Sequence, residues 1–176
     1  MSFATGSQTA DFGCRHTVRR ARPDESADAI SIVLEAAAWA AAHDIAVWTP
    51  AEVREDTFAA AARSGELIIG YGNGTAAATM QLQLADSIYW PEAAPGSALY
   101  IHKVAVRRAH AGQGWLARLI DFASADAGAR RIACLRLDTI LQPKLQSLYE
   151  RQGFTVLAED PMLLNGRLMI RMERTL

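Results

Sequence analysis

Apolar residues recur along this chain with two periods, and the changes between them mark its elements. Strict alternation is clearest in "TAAATMQLQLA" (75–85). Met80, Leu82 and Leu84 share one face there and Gln81 and Gln83 the other, as on a half-buried strand. The helical period governs residues 22–44, where Ile30, Val33, Leu34, Ala37 and Ala41 form one stripe. A second helix is predicted from "TPAEVREDTFAAAARSG" (49–65), with Thr49 as N-cap, Pro50 in the first turn, Glu52 closing a capping box and Gly65 at the end. A third stripe follows Gly114: Leu116, Leu119, Ile120, Ala123 and Ala127. A fourth helix, "PKLQSLYERQ", stops at Gly153. Short apolar runs supply the other strands: "HTVRRA", "ELIIGY", "ALYIHKVAV", "RIACLRLD", "FTVLA" and "RLMIRM", with a hairpin turn over Gly72 to Gly74. The predicted order is β-α-α-β-β-β-α-β-α-β-β, an α/β fold in a single domain over residues 16–176, after a polar leader over 1–15.

Composition narrows the class. The 176 residues suffice for one sizeable core, and 51% hydrophobic with 21% charged residues is ordinary for a globular protein. A formal net charge of −1 argues against binding nucleic acid through a broad basic surface. The two cysteines, Cys14 and Cys134, build no disulfide framework, and Cys134 reads as a small buried hydrophobe. No apolar run reaches the roughly 18 residues of a membrane helix, and the N-terminus lacks signal-peptide regions, so a cytoplasmic location and no membrane partner are expected. His16, His43 and His110 are scattered without metal-ligand spacing, and no metal is expected.

The candidate chemistry begins at "VRRAHAGQGWLARLI" (106–120), where a strand gives way through two glycines to a helix. The first N–H groups of a helix lack intrahelical partners and carry partial positive charge, and glycines let a ligand approach them. Gly112, Gln113 and Gly114 are thus a candidate anion seat, with Arg107, Arg108 and His110 as nearby charge. On these residues alone a tight strand-to-helix connection reads as well. The dinucleotide fingerprint fails because "WLA" follows Gly114, and no P-loop Gly-Lys-Ser/Thr occurs.

Three stretches in order, "LYIHKVAVRRAHAGQGWLARLI", "LRLD" and "LQSLYERQGF", resemble the GNAT superfamily of acetyl-CoA-dependent N-acetyltransferases over roughly residues 19–172. The resemblance implies a GNAT-type mixed, mostly antiparallel central sheet with helices on both faces. It implies acetyl-CoA as co-substrate, with its pyrophosphate on Ala111, Gly112, Gln113, Gly114, Trp115 and Leu116. In the family pattern Gln or Arg stands at Ala111 and a small residue at Leu116; Gly114 keeps its defined position. The pantetheine arm would meet the backbone of Val104, Ala105 and Val106, with the thioester carbonyl near the Val104 N–H. Gln142 stands where many members have Asn near the pantetheine or the helix cap.

Acyl transfer to an amine requires a neutral amine, although free alkylamines have pKa values of roughly 10.4, and a proton for a leaving thiolate of pKa about 8.5. By resemblance Tyr149 is the general acid. If the strand is regular, Tyr100, His102, Val104 and Val106 share a face, which aims His102 at the reacting centre as a candidate base; Glu92 and Asp86 rank behind it. Trp39, Trp48, Tyr89 and Trp90 are candidate wall residues, and Asp44, Glu52, Glu55 and Asp56 lie near them in sequence. The expected activity is acetyl transfer to a primary amine of a small molecule or peptide by direct attack in a ternary complex. The rivals are a non-catalytic acyl-CoA-binding sensor and an acetyltransferase acting on a protein. Dimers are common in the family, so a homodimer is an expected partner.

Overall fold

The computed structural model describes residues 16–157 and 160–176; the leader over 1–15 lies outside them. One eight-stranded sheet runs in the order β1 (His16–Arg20), β2 (Leu67–Gly72), β3 (Thr75–Gln83), β4 (Leu99–Val106), β5 (Cys134–Ile140), β8 (Arg167–Thr175), β6 (Thr155–Val156). β7 (Met162–Leu164) pairs with β8 off that path. Every pairing is antiparallel except β4 with β5. The mixed, mostly antiparallel sheet with helices on both faces is the one the resemblance implies.

Helices cover both faces. Helices α1 (Ser26–Ala41) and α2 (Glu55–Ser64) bury Ile32, Val33, Phe58 and Ala61 against Leu67 and Ile69. On the other face α3 (Trp115–Ala129) buries Leu119, Ile120 and Ala123 against Ile68, Met80, Leu99 and Ile101. The short helix α4 (Pro143–Glu150) adds Tyr149 to the rim of that cluster. No helix among the described residues is long and apolar enough to cross a membrane.

Three local expectations need correction. The capping box at Thr49 forms, with the Thr49 N–H donating to Glu52 Oε2 at 2.7 Å, but it opens only a 3-10 turn over Pro50–Glu52. Val53 then leaves helical geometry (φ −106°, ψ 80°), and α2 starts at Glu55. The cause is tertiary: Arg167 binds both oxygens of Glu52, and the Val53 side chain turns into the core. The second correction is β7, a three-residue strand that Asn165 and Gly166 connect to β8 through a tight turn of positive φ. The third is Cys134, which is half-buried rather than buried; burial pushes its thiol up to about 11.

Glu25 ties the first strand to the helical face. Its buried carboxylate accepts two hydrogen bonds from Arg19 (2.7 and 2.6 Å), one from the Arg22 N–H (2.7 Å) and one from the Tyr71 hydroxyl (2.8 Å). The Arg19 guanidinium foremost holds its pKa at about 2. A depressed carboxylate stabilises the fold above its unfolded pKa, and that contribution is lost as pH falls through the folded value. Between pH 4.5 and about 2 the protein should lose about 2–3 kcal/mol through this one group. Urea unfolding across that range checks it: the Glu25→Gln curve should be flatter than wild type by this amount, and parallel curves exclude the assignment.

Candidate active site

The site is built where β4 and β5 part. Their parallel register covers Leu99↔Leu135, Tyr100↔Arg136 and Ile101↔Leu137 and then ends. From His102 onward β4 is held only by β3, so its backbone edge toward β5 is open. β4 is also irregular here. Gln81 pairs with His102 and Thr79 with Ala105, so Lys103 and Val104 together oppose Met80 in a bulge, and Lys103 takes φ 53°. A non-glycine residue in that region is strained and marks a place to look for function.

The bulge overturns the single-face expectation for β4. Val104 and Val106 pack toward the α3-side cluster, whereas Ala105 is buried in the α1–α2 cluster. His102 pairs with Gln81, and Ala105 with Thr79 two positions along the same face of β3, so His102 and Ala105 share a side. Of the three residues expected at the pantetheine arm, Val104 lines the cavity that opens at the splay, a space of about 590 Å3. His102 and Tyr149 line the same cavity.

His102 sits between two carboxylates. Its Nε2 lies 3.6 Å from Asp86 Oδ2 and its Nδ1 3.4 Å from Asp138 Oδ1. Asp86 is fixed by its own loop, because its Oδ1 accepts from the N–H groups of Ile88 and Tyr89, each at 3.0 Å. Its Oδ2 is left buried without a hydrogen bond among the described residues, as is His102 Nε2. Such buried orphan groups are costly unless a ligand or a small closure satisfies them. One donor atom from each of Asp86, His102 and Asp138 falls within 4.8 Å of the others, so a cation is geometrically conceivable. The imidazole, however, offers a different nitrogen to each carboxylate, which favours a hydrogen-bonded relay over a shared ion. Asp138 escaped the sequence reading, although a signal existed: setting "YIHK" beside "RLDT" in parallel register puts His102 next to Asp138.

Tyr149 comes from α4, which starts at the end of β5. Its ring meets Phe154 edge-on at 6.1 Å, and its hydroxyl has no hydrogen-bond partner among the described residues. Burial first, and the Asp138 charge second, push its pKa well above the ordinary phenol value. It is therefore a proton-bearing donor throughout the physiological range. Gln142 caps α4 instead of facing the cavity: its Oε1 accepts from the Leu145 N–H at 3.0 Å.

The glycine turn has the shape expected of an anion seat. Gly112 and Gly114 both take φ 76°, and Gly114 caps α3. Among the described residues no protein acceptor meets the N–H groups of residues 112–116. The Trp115 side chain points inward. Its indole is buried against the Cα positions of Gly70 and Gly72, where an added Cβ would come within 2.6 and 3.0 Å of the ring. Trp115 thus contributes only backbone to the turn, and Leu116 packs on the α3-side core. Arg107 and Arg108 turn away toward α1: Arg107 pairs with Glu35 at 2.8 Å, and Arg108 stacks on Trp39 at 4.0 Å. Of the aromatic candidates, Trp48 and Tyr89 line the cavity; Trp39 is exposed elsewhere, and Trp90 is buried against Tyr100.

Comparison with known proteins agrees with this fold. The family model described as "Acetyltransferase (GNAT) domain" matches residues 22–176. A search of curated protein sequences returns no match. Among solved structures, an acetyltransferase of the GNAT family from Listeria monocytogenes 4b F2365 is 21% identical with TM-score 0.74, covering 92% of this chain and 95% of that one. The PaiA N-acetyltransferase from Thermoplasma acidophilum, in complex with coenzyme A, is 12% identical with TM-score 0.72, over 92% and 99% of the two chains. The yncA protein of Salmonella typhimurium, solved with its cofactor acetyl-CoA, is 19% identical with TM-score 0.68, over 91% and 93%. With a family model spanning nearly the whole described chain and a sheet of the same architecture, the chain belongs to the GNAT acetyltransferase family.

Proposed function

We propose that this protein transfers an acetyl group from acetyl-CoA to a primary amine of a small molecule or peptide, by direct attack in a ternary complex. The observation that carries the reading is the pairing of His102 and Tyr149 on one cavity at the β4–β5 splay. The unpaired N–H groups of residues 112–116 suit the pyrophosphate, and the open β4 edge suits the amide-rich pantetheine arm. Bound acetyl-CoA supplies the activated acyl group; the remaining work belongs to the chain. His102 takes the proton that the amine must lose as its nitrogen bonds to the acyl carbon, and Asp138 or Asp86 holds the ring in place. As the carbon–sulfur bond breaks, the electron pair stays on sulfur, and the Tyr149 hydroxyl gives that sulfur its proton.

A thermal-unfolding titration with acetyl-CoA, CoA and NADH, followed by a free-thiol assay with amines, tests this. A ligand at 100 times its Kd adds about 2.7 kcal/mol of stability. Stabilisation by acetyl-CoA and CoA but not NADH, with amine-dependent thiol release, is the expected result. Stabilisation without release by any amine favours an acyl-CoA-binding module instead, and equal stabilisation by NADH removes the phosphate-turn assignment.

A further inference from the structure

The acceptor half of the cavity carries a cation that the transfer chemistry does not use. Lys103 lies at the bulge, next to His102, and lines the same cavity. Its ammonium sits 5.3 Å from the centre of the Trp48 ring, and among the described residues it has neither a hydrogen-bond acceptor nor a carboxylate within ion-pair distance. Arg167 stands in the same wall. Its two terminal nitrogens are occupied by Glu52 and by the Val47 carbonyl, while its Nε is buried with no acceptor among the described residues. Burial lowers the Lys103 pKa, the main effect on it, with Glu52 and Asp138 acting only at longer range. A desolvated ammonium without a partner is costly, and an anion brought beside it would offset that cost.

The charges are also sorted by position. The two acidic groups without a guanidinium partner, Asp86 and Asp138, flank His102, where the amine would enter. Glu52, nearer Lys103, is already neutralised by Arg167. The same cavity is lined by the apolar side chains of Val47, Trp48, Ile88, Leu164 and Met169, beside polar Gln81, Gln83 and Asn165.

We infer that the acceptor is an amine that also carries a carboxylate, an amino acid with an apolar side chain, and that Lys103 with Arg167 receives the carboxylate while His102 faces the amine. This rests on the acetyl-transfer reading and narrows it. The strained backbone at Lys103 then has a purpose: without the bulge the side chain would follow the alternation of a regular strand rather than its present course over Trp48.

Matched probes separate the possibilities: leucine, leucinamide and isopentylamine, which share a side chain and differ at the carboxylate. With acetyl-CoA saturating, kcat/KM for leucine should exceed that of the other two by at least about tenfold. In Lys103→Gln the acid-to-amide ratio should fall toward one. Arg167→Lys, which keeps a cation opposite Glu52 but removes the Nε–H, should lower it less. A second readout needs no turnover: N-acetylleucine should raise the melting temperature of the CoA-loaded wild type and not of Lys103→Gln, whereas the amide of N-acetylleucine should raise neither. Equal or better turnover of the two probes without a carboxylate, or an unchanged ratio in Lys103→Gln, overturns the carboxylate assignment and leaves acetyl transfer standing. Carboxylate-dependent stabilisation with no turnover of any probe does the reverse: it supports the anion subsite and counts against acetyl transfer.

Discussion

Tyr149→Phe should lower kcat by about 10²- to 10³-fold while the dissociation constant for acetyl-CoA changes less than about twofold. The reasoning is local. The Tyr149 ring is held edge-on by Phe154, so removing one oxygen leaves the packing in place. The hydroxyl makes no hydrogen bond with the described residues, so its loss orphans no partner. What disappears is a neutral donor, kept neutral by burial and by Asp138, at the point where a thiolate must be protonated. Steady-state kinetics combined with a CoA titration measures both quantities. A variant within threefold of wild type in kcat would assign the leaving-group proton to another source, and an equal loss of affinity would make Tyr149 a binding residue.

His102→Gln should reduce kcat/KM by about 10²-fold. Glutamine retains a side chain of similar reach that can donate toward Asp86 or Asp138, so the place between the two acids stays filled while the proton acceptor is lost. The effect should depend on the acceptor. An amine whose own pKa lies below the assay pH arrives neutral and has only the proton released on attack to lose, which water also accepts, so its loss should shrink to a few-fold. A purely structural role for the imidazole would damage all acceptors alike. Equal losses across amines of different basicity would therefore remove His102 as the base and leave it as a positioning residue between the two acids.

Much of the fold was legible because it rests on local periodicity. The helical stripes of α1 and α3 and the Asn73–Gly74 hairpin are written in neighbouring residues, whereas β3 is buried on both faces and Leu84 lies exposed beyond its end. The features that escaped depend on distant partners. Glu52 completes a capping box as the sequence implies, yet Arg167, 115 positions away, also binds it, and the chain leaves helical geometry at Val53. β7 is only three residues of "MLL", too short to show a period. At the site, the ordered motifs pointed to Tyr149 and the glycine turn and the strand pattern to His102, which lie late in α4, at the start of α3 and where two strands part. Asp86 and Asp138 were harder to find, because their importance comes from flanking one imidazole from two separate elements. Gln142 takes the helix-cap alternative that the sequence offered, and the Trp115 side chain packs under Gly70 and Gly72, a contact between distant elements that the turn motif does not show.

The bulge in β4 works as a phase marker. Side chains before it and after it obey the same two-residue beat, but the beat restarts at Lys103, so the strand's second half is written in inverted phase. Most substitutions in this strand would change a contact. A one-residue insertion or deletion near the bulge would instead exchange the faces of Val104, Ala105 and Val106, turning the two valines toward α1–α2 and Ala105 toward α3. Sequence drift along this strand is thus tolerable in identity and intolerable in count, and the strand's length between Tyr100 and Arg107 is a more sensitive signature of an intact site than any one of the side chains it carries.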